Sequence, residues 1–173
     1  KIFCAPGNGG IAQIAECVDI TPENIDGLAQ FAAKQKIDLT VVGPEGPLCK
    51  GIVDLFTEKG LRAFGPSKEA AQLEGSKVFC KNLMRRYGIP TPSFRVFNQS
   101  PPAITYVRSA TFPIVVKADG LAAGKGAVIC QSVDEATSTI ELMMDKHGFG
   151  AAGNQIVVEE FLNGIEASVI SLV

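Results

Sequence analysis

The feature that most restricts the fold is a loop of small residues between two apolar segments. One lysine lies just before the loop and another near its end. The loop spans residues 119–126, follows a β-branched segment at 113–118 and leads into the apolar segment 127–130. Both flanks are typical of strands. Small side chains let backbone N–H groups approach an anion closely, and Lys117 and Lys125 add positive charge. The pattern predicts a strand–loop–strand phosphate flap; the alternative is a plain glycine-rich hairpin.

A P-loop is the competing interpretation of the Gly-Lys pair, and the spacing argues against it. A P-loop has glycine five residues before that pair, Ser or Thr after the lysine, and a helix beyond. Here Asp119 holds the earlier position, Gly126 follows Lys125, and residues 127–130 form a predicted strand.

The first 65 residues alternate between short apolar segments and helical patterns. Strands are predicted at residues 1–5, 37–42 and 61–64. One helix is predicted after Thr21-Pro22, where Pro22 would take the first helical position, and another at 47–59. Strands that alternate with helices at this spacing predict a parallel sheet covered by helices.

The rest of the chain has a different pattern of elements. Predicted helices span residues 68–73 and 76–87, a strand spans 94–97, and a short helix follows Ser100-Pro101-Pro102. Ser132 and Glu135 fit a capping box, so a helix is expected to run toward Lys146. Further strands are predicted at 155–161 and from Ala167 onward. Because both ends fall inside predicted strands, we expect an internal segment of a longer protein; the alternative is a naturally short chain.

Composition restricts the classes of partner. Sixteen basic and eighteen acidic residues give a net charge of −2, so no large basic field is available for a nucleic-acid backbone. No apolar run approaches the ~20 residues of a membrane span. The five cysteines include no CxxC pair. We therefore expect reduced thiols, a cytoplasmic location, and neither nucleic acid nor membrane as a partner.

Three further segments carry charged residues whose meaning is ambiguous in isolation. Glu159 and Glu160 end a predicted strand and are either solvated surface or part of a nucleotide site. Lys77 follows Ser76 at a predicted helix start, which is an unremarkable position for a lysine. Glu45 follows an apolar strand in a Pro- and Gly-rich loop. It either complements a helix dipole or, with Pro47, binds a substrate beyond the carboxyl end of that strand.

In their order and spacing, the segments around Lys77, Lys117 and Glu159 resemble the ATP-grasp superfamily. The resemblance implies that both lysines reach nucleotide phosphates and that residues 120–126 close over them. It also implies an adenine hinge at 159–162 and a ribose-binding carboxylate at Glu166. The ATP-binding residues implied in this way are Lys77, Lys117, Gly120, Gly124, Lys125, Gly126, Glu159, Glu160, Phe161, Leu162 and Glu166.

Within that superfamily, residues 5–10, 40–48, 70–77, 117–126 and 164–168 are similar to the glycinamide ribonucleotide synthetase family. Gly46, where the family usually has alanine, and Ile165 are small departures. The resemblance implies a ligase that joins glycine to 5-phosphoribosylamine, with ATP converted to ADP and phosphate. It also implies a Mg²⁺ ion whose ligands, like the catalytic residues, are expected beyond Val173, with no metal site in this chain.

The implied fold class is α/β, with part of a parallel-sheet N-terminal domain followed by the first part of an ATP-grasp fold, including its small lobe. The expected divisions are 1–65, 66–112, 113–160 and 161–173: the N-terminal substrate domain, the start of the large lobe, the small lobe with its flap, and the hinge. Three alternatives are another ATP-grasp ligase, a non-catalytic ATP-binding module, and an NAD module. No GxGxxG motif opens a helix to support the last of these.

Overall fold

The computed structural model describes residues 1–122 and 125–170, and Ala151 by its backbone alone. The chain forms two compact units, one of residues 1–76 and one that begins at Lys77. Across the described residues, no helix combines the length and the apolar character that a membrane crossing requires.

The first unit contains two pairs of parallel strands. Strand β1 (Phe3–Cys4) pairs with β2 (Glu16–Cys17), and β3 (Thr40–Val41) pairs with β4 (Ala63–Phe64). The parallel arrangement expected from the alternating pattern is confirmed. Strand β2 was not predicted, because it has only two residues and apolar and polar residues mix around it without a continuous apolar run.

Four helices connect these strands, and their apolar sides form the core of the first unit. They are α1 (Ile25–Gln35), α2 (Glu45–Lys50), α3 (Ile52–Glu58) and α4 (Gln72–Gly75). The residues at the centre are buried apolar side chains of α1, α2 and α3 with one preceding α4: Ala29, Ala32, Leu48, Ile52, Phe56 and Ala71.

Three helix predictions in this unit are wrong in their bounds. The helix predicted at 68–73 begins only at Gln72, because residues 68–71 form turns. The other two differ for local reasons. Helix α1 begins at Ile25, where the Asn24 side chain accepts a hydrogen bond from Gly27 N at 3.0 Å. Thr21-Pro22 therefore forms a turn before the helix. The predicted helix at 47–59 is two helices, because Gly51 separates them with φ of 90°. That left-handed conformation ends α2, and it is readily available only to glycine.

The second unit is built on a four-stranded antiparallel sheet. Its strands are β5 (Phe94–Phe97), β6 (Ile114–Ala118), β7 (Ala127–Cys130) and β8 (Ile156–Glu160), in the order β5-β8-β6-β7. In the register, Val115 lies opposite Glu159, and Lys117 lies opposite both Val157 on β8 and Ala127 on β7. All four strands agree with the predicted segments to within about one residue at each end.

The two faces of this sheet differ in chemistry. Ile114, Val116 and Ala118 alternate with Val115 and Lys117 along β6, and only the first set is buried. The buried set joins apolar residues of α6 (Ser100–Val107) and α7 (Val133–Ile140) in one core. Val115, Lys117 and Glu159 project from the opposite face.

Helix α7 begins with the predicted capping box. Ser132 Oγ accepts a hydrogen bond from Glu135 N at 3.2 Å, and Glu135 Oε2 accepts one from Gln131 N at 2.6 Å. The helical course continues with a wider turn over Glu141–Asp145, as expected. A strand from Ala167 onward is not present in residues 167–170, which are exposed and make no ladder with another described segment; residues 171–173 lie outside the described part.

Candidate functional site

The flap is the hairpin loop between β6 and β7. The two strands pair antiparallel, and Ala118 N donates to Gly126 O at 2.8 Å where the loop closes. Gly120 has φ of 85°. A Cβ on Gly126 would lie 2.5 Å from the Ala122 Cβ, so no larger residue fits there without a shift. The predicted strand–loop–strand structure is confirmed, while Gly124 lies outside the described residues.

The start of the flap is held by helix α5 (Lys77–Tyr87). Lys77 Nζ donates to Gly120 O at 2.8 Å, and Asp119 Oδ1 accepts from Val78 N at 3.0 Å. The carboxylate therefore lies at the positive end of the α5 dipole, which stabilises it. Lys77 thus contacts the first residues of the flap, whereas Lys125 at the other end is exposed.

Glu159 lies between two lysines on the face of the sheet opposite the core, where helix α5 packs against β8. Its Oε1 forms an ion pair with Lys117 of β6, and its Oε2 forms one with Lys81 of α5. The Glu159 side chain is 3% exposed, against 12% for Lys81 and 27% for Lys117. Solvated surface, the alternative meaning of the acidic pair, is thus wrong for Glu159.

Glu160 points the other way and is exposed. Its Oε1 accepts a hydrogen bond from Ser93 N at 3.0 Å. That backbone hydrogen bond is the main reason why the pKa of Glu160 lies below its ordinary value. Phe161, Leu162 and Glu166 follow in an exposed segment with free access to solvent. The hinge thus presents backbone groups and apolar side chains, although its role in binding a base stays a prediction.

Glu45 and Pro47 belong to the first unit. Glu45 is exposed and is the first residue of α2, whereas Pro47 is fully buried. Pro47 lines a cavity of about 510 Å³ bounded largely by apolar residues of β1, β3 and α1. Their predicted contact with a substrate stays a prediction.

Lys81 and Asp119 are the two residues of this region that sequence reasoning missed. Lys81 lies four residues after Lys77 on one helix, a spacing that puts both lysines on the same side. That spacing was the available signal. Nothing in the sequence indicated that Glu159 would pair with Lys81, because α5 and β8 are far apart along the chain.

No metal-binding cluster of three or more His, Cys, Asp or Glu side chains is present in residues 1–122 and 125–170. The positively charged side chains beside Glu159 are lysines, and this buried carboxylate pairs with two of them, Lys81 and Lys117. Such an arrangement has positive charge to offer to an anionic ligand.

The glycine-rich hairpin, the lysines beside it and the α/β framework are those of an ATP-grasp protein. Residues 75–173 match the family model of the phosphoribosylglycinamide synthetase ATP-grasp (A) domain, and residues 1–74 match that of its N domain. The chain belongs to the phosphoribosylglycinamide synthetase family.

Curated relatives agree with this assignment. The chain is 51% identical over 172 residues to the phosphoribosylamine–glycine ligase of Clostridium acetobutylicum, which covers 99% of this chain and 41% of the relative. It is 50% identical over 175 residues to the enzyme of that name from Haemophilus influenzae, which covers 100% of this chain and 41% of the relative. The chain thus spans about two fifths of the length of the curated relatives it matches.

Solved structures show the same fold. The phosphoribosylamine–glycine ligase of Thermotoga maritima superposes with a TM-score of 0.75 at 28% identity, covering 95% of this chain and 39% of that one. The biotin carboxylase domain of Hydrogenobacter thermophilus 2-oxoglutarate carboxylase, solved with ADP, its magnesium salt and bicarbonate, gives 0.71 at 19% identity. That match covers 92% of this chain and 38% of the other, and it concerns the fold alone.

Proposed function

We propose that this chain is the part of a phosphoribosylamine–glycine ligase that binds ATP and contributes to substrate binding. The reaction joins glycine to 5-phosphoribosylamine and gives glycinamide ribonucleotide, ADP and phosphate. The observation that carries the proposal is that the two domain models of this one family match residues 1–74 and 75–173 without a gap.

In the proposed reaction, a glycine carboxylate oxygen attacks the γ-phosphorus of ATP and ADP leaves. The amine of phosphoribosylamine then attacks the carbonyl carbon of the acyl phosphate and expels phosphate, while the amine loses a proton. Positioning and neutralisation of charge supply most of the catalysis in such transfers. Lys77, Lys117 and Lys125 would supply part of the positive charge, and the flap would exclude water from the acyl phosphate.

The remaining assignments rest on the resemblance to the ATP-grasp superfamily. Backbone groups of residues 159–162 would bind the adenine, with Phe161 and Leu162 against its faces, and Glu166 would accept from the ribose hydroxyls. Gly120 and Gly126 would leave room for phosphate oxygens. Glu45 and Pro47 are assigned to phosphoribosylamine, which the first unit would bind.

Magnesium would accompany the polyphosphate of ATP and supply the rest of the positive charge. Residues 1–122 and 125–170 contain no cluster of acidic side chains that could hold it. The five free cysteines support a reducing compartment such as the cytoplasm as the place of action.

The proposal is tested by calorimetry on the 173-residue chain with ATP and Mg²⁺, and with NAD as the competing ligand. ATP is expected to bind more tightly, because the flap and lysines suit a triphosphate and no dinucleotide motif is present. Equal or tighter binding of NAD would contradict the proposal.

A chimera tests the ligase activity itself. The chain would replace the matching segment of the Clostridium acetobutylicum relative, and formation of glycinamide ribonucleotide would be followed with both substrates. The chimera is expected to turn over. A folded chimera that binds ATP but makes no product would refute the ligase assignment and leave ATP binding intact.

A further inference from the structure

The Lys81–Glu159–Lys117 cluster contains one more positive charge than negative charge. Glu159 is almost fully buried, so its charge needs a partner at all times. Each lysine takes a different oxygen of the carboxylate. If one lysine moved away, Glu159 would still form an ion pair with the other.

The two lysines are not equivalent. Lys81 is 12% exposed, donates to Thr91 Oγ1 at 2.8 Å and lies 5.7 Å from the centre of the Phe94 ring. Lys117 is 27% exposed and sits one residue before the end of β6, beside the flap. Lys81 is thus fixed by several contacts, and Lys117 has access to solvent where an anionic ligand would enter.

We propose that Lys81 is a positioning residue: as the permanent counter-ion of Glu159, it leaves Lys117 free to transfer from that carboxylate to a phosphate oxygen of the nucleotide. This inference rests on the proposed function, since it deepens the account of the ATP site. Without Lys81, Lys117 is the remaining partner of a buried carboxylate, and moving it to the nucleotide would leave an unpaired buried charge.

Charge counting gives the ranking of variants. The cluster has a net charge of +1 in the parent chain, 0 in Lys81→Met and +2 in Glu159→Gln. It is +1 again in the double variant, which combines Lys81→Met with Glu159→Gln. In Lys81→Met, Glu159 keeps its charge and retains Lys117, so ATP affinity is expected to fall about tenfold or more, the effect of one charge-assisted contact. Because Lys117 is released whenever Glu159 loses its charge, affinity is expected to stay within about threefold of the parent in the double variant and to be unchanged or tighter in Glu159→Gln.

The experiment measures the Kd of ATP with Mg²⁺ by calorimetry for the parent chain and these three variants. Lys146→Met is the matched control, because it removes an exposed lysine of the same unit. In the chimeric ligase, Lys81→Met is expected to raise the KM for ATP more than it lowers kcat. Recovery of affinity in the double variant is the readout that a purely structural role for Lys81 would not give.

Three results would overturn the inference: unchanged affinity in Lys81→Met, a double variant as weak as Lys81→Met, or a tenfold loss in Glu159→Gln, which would make Glu159 itself a ligand. If Lys81→Met fails to fold, the comparison of Glu159→Gln with the double variant tests the inference. A tenfold difference between their Kd values for ATP would contradict it. A parent chain that fails to bind ATP overturns the proposed function and this inference together. Normal binding by the parent with no effect of Lys81 overturns the inference alone.

Discussion

The strand register fixes the position of Lys117, the side chain proposed to bind a phosphate oxygen of ATP. It projects from the face of the sheet opposite the core, where it lies diagonally across from Glu159 and next to the flap. A lysine in this position can exchange an internal carboxylate for an external phosphate, because both present oxygen acceptors of negative charge.

We expect Lys117→Met to lower the affinity for ATP at least about tenfold, since a charge-assisted contact contributes roughly 1.5–3 kcal/mol. Methionine keeps much of the apolar stem, so the melting temperature should change little while Lys81 still pairs with Glu159. Calorimetry with ATP and Mg²⁺ measures the effect, and Lys146→Met serves as control. Unchanged affinity would make Lys117 a structural partner of Glu159 and nothing more.

Glu45 is the residue for which two roles remain in competition. As the first residue of α2 it can complement the helix dipole, which contributes typically about 0.3–1 kcal/mol. Exposed on a Pro- and Gly-rich turn, it can also accept hydrogen bonds from an amine or hydroxyl of phosphoribosylamine.

Glu45→Gln in the chimeric ligase separates these roles. We expect a raised KM for phosphoribosylamine, a KM for ATP close to that of the parent, and a nearly unchanged melting temperature. Steady-state kinetics measure the two KM values, and thermal melts measure the melting temperature. A small loss of stability with normal kinetics would instead assign Glu45 to the helix dipole and remove it from the site.

At the scale of elements, helix α7 is stabilised at its first turn by two side-chain hydrogen bonds. Ser132 and Glu135 satisfy two backbone N–H groups at its start. We expect Ser132→Ala to destabilise the second unit by about 0.5–2 kcal/mol, measured by urea unfolding. Ser138→Ala, in the exposed middle of the same helix, is the matched control and should be neutral or slightly stabilising. Equal losses in both variants would mean that the cap contributes nothing.

The elements that could be predicted are those whose cause is local. The capping box, the strands of the second sheet and the flap follow from residues adjacent in sequence. The break at Gly51 was missed because an apolar pattern continues across it, so that only the left-handed backbone shows the separation. The predicted strand from Ala167 is absent up to Ile170, since a strand also needs a neighbour, and apolar composition does not supply one.

The candidate site divides in the same way. Lys117 and the loop glycines were predicted from their types and spacing, whereas Lys77 was predicted only through the resemblance to the ATP-grasp superfamily; their contacts with phosphate stay predictions. Lys81 and Asp119 could not be predicted, because their importance lies in contacts with Glu159 and with the start of α5. Such contacts depend on how distant segments meet, which spacing along the chain does not encode.

At the scale of the whole molecule, the chain consists of two units that match two domains of one family. Its described residues contain the lysines proposed to bind phosphates, and they contain no cluster of His, Cys, Asp or Glu side chains for a metal ion. We expect the 173-residue chain alone to make no glycinamide ribonucleotide, measured by product formation against a mock preparation and with the active chimera as positive control. Product from the isolated chain would show that the catalytic groups lie within it.

The position of β8 in the second sheet also affects the order of folding during synthesis. Of the four strands it is the last to leave the ribosome, yet it lies between β5 and β6 and pairs with both. Until residues 156–160 emerge, β5 has no partner in this sheet and β6 can pair only with β7. In that interval the nascent chain exposes the two strand edges that β8 later covers, a state in which strands from neighbouring chains can pair. Closure of this sheet, and with it the approach of Glu159 to Lys81 and Lys117, therefore waits for the synthesis of residues 156–160.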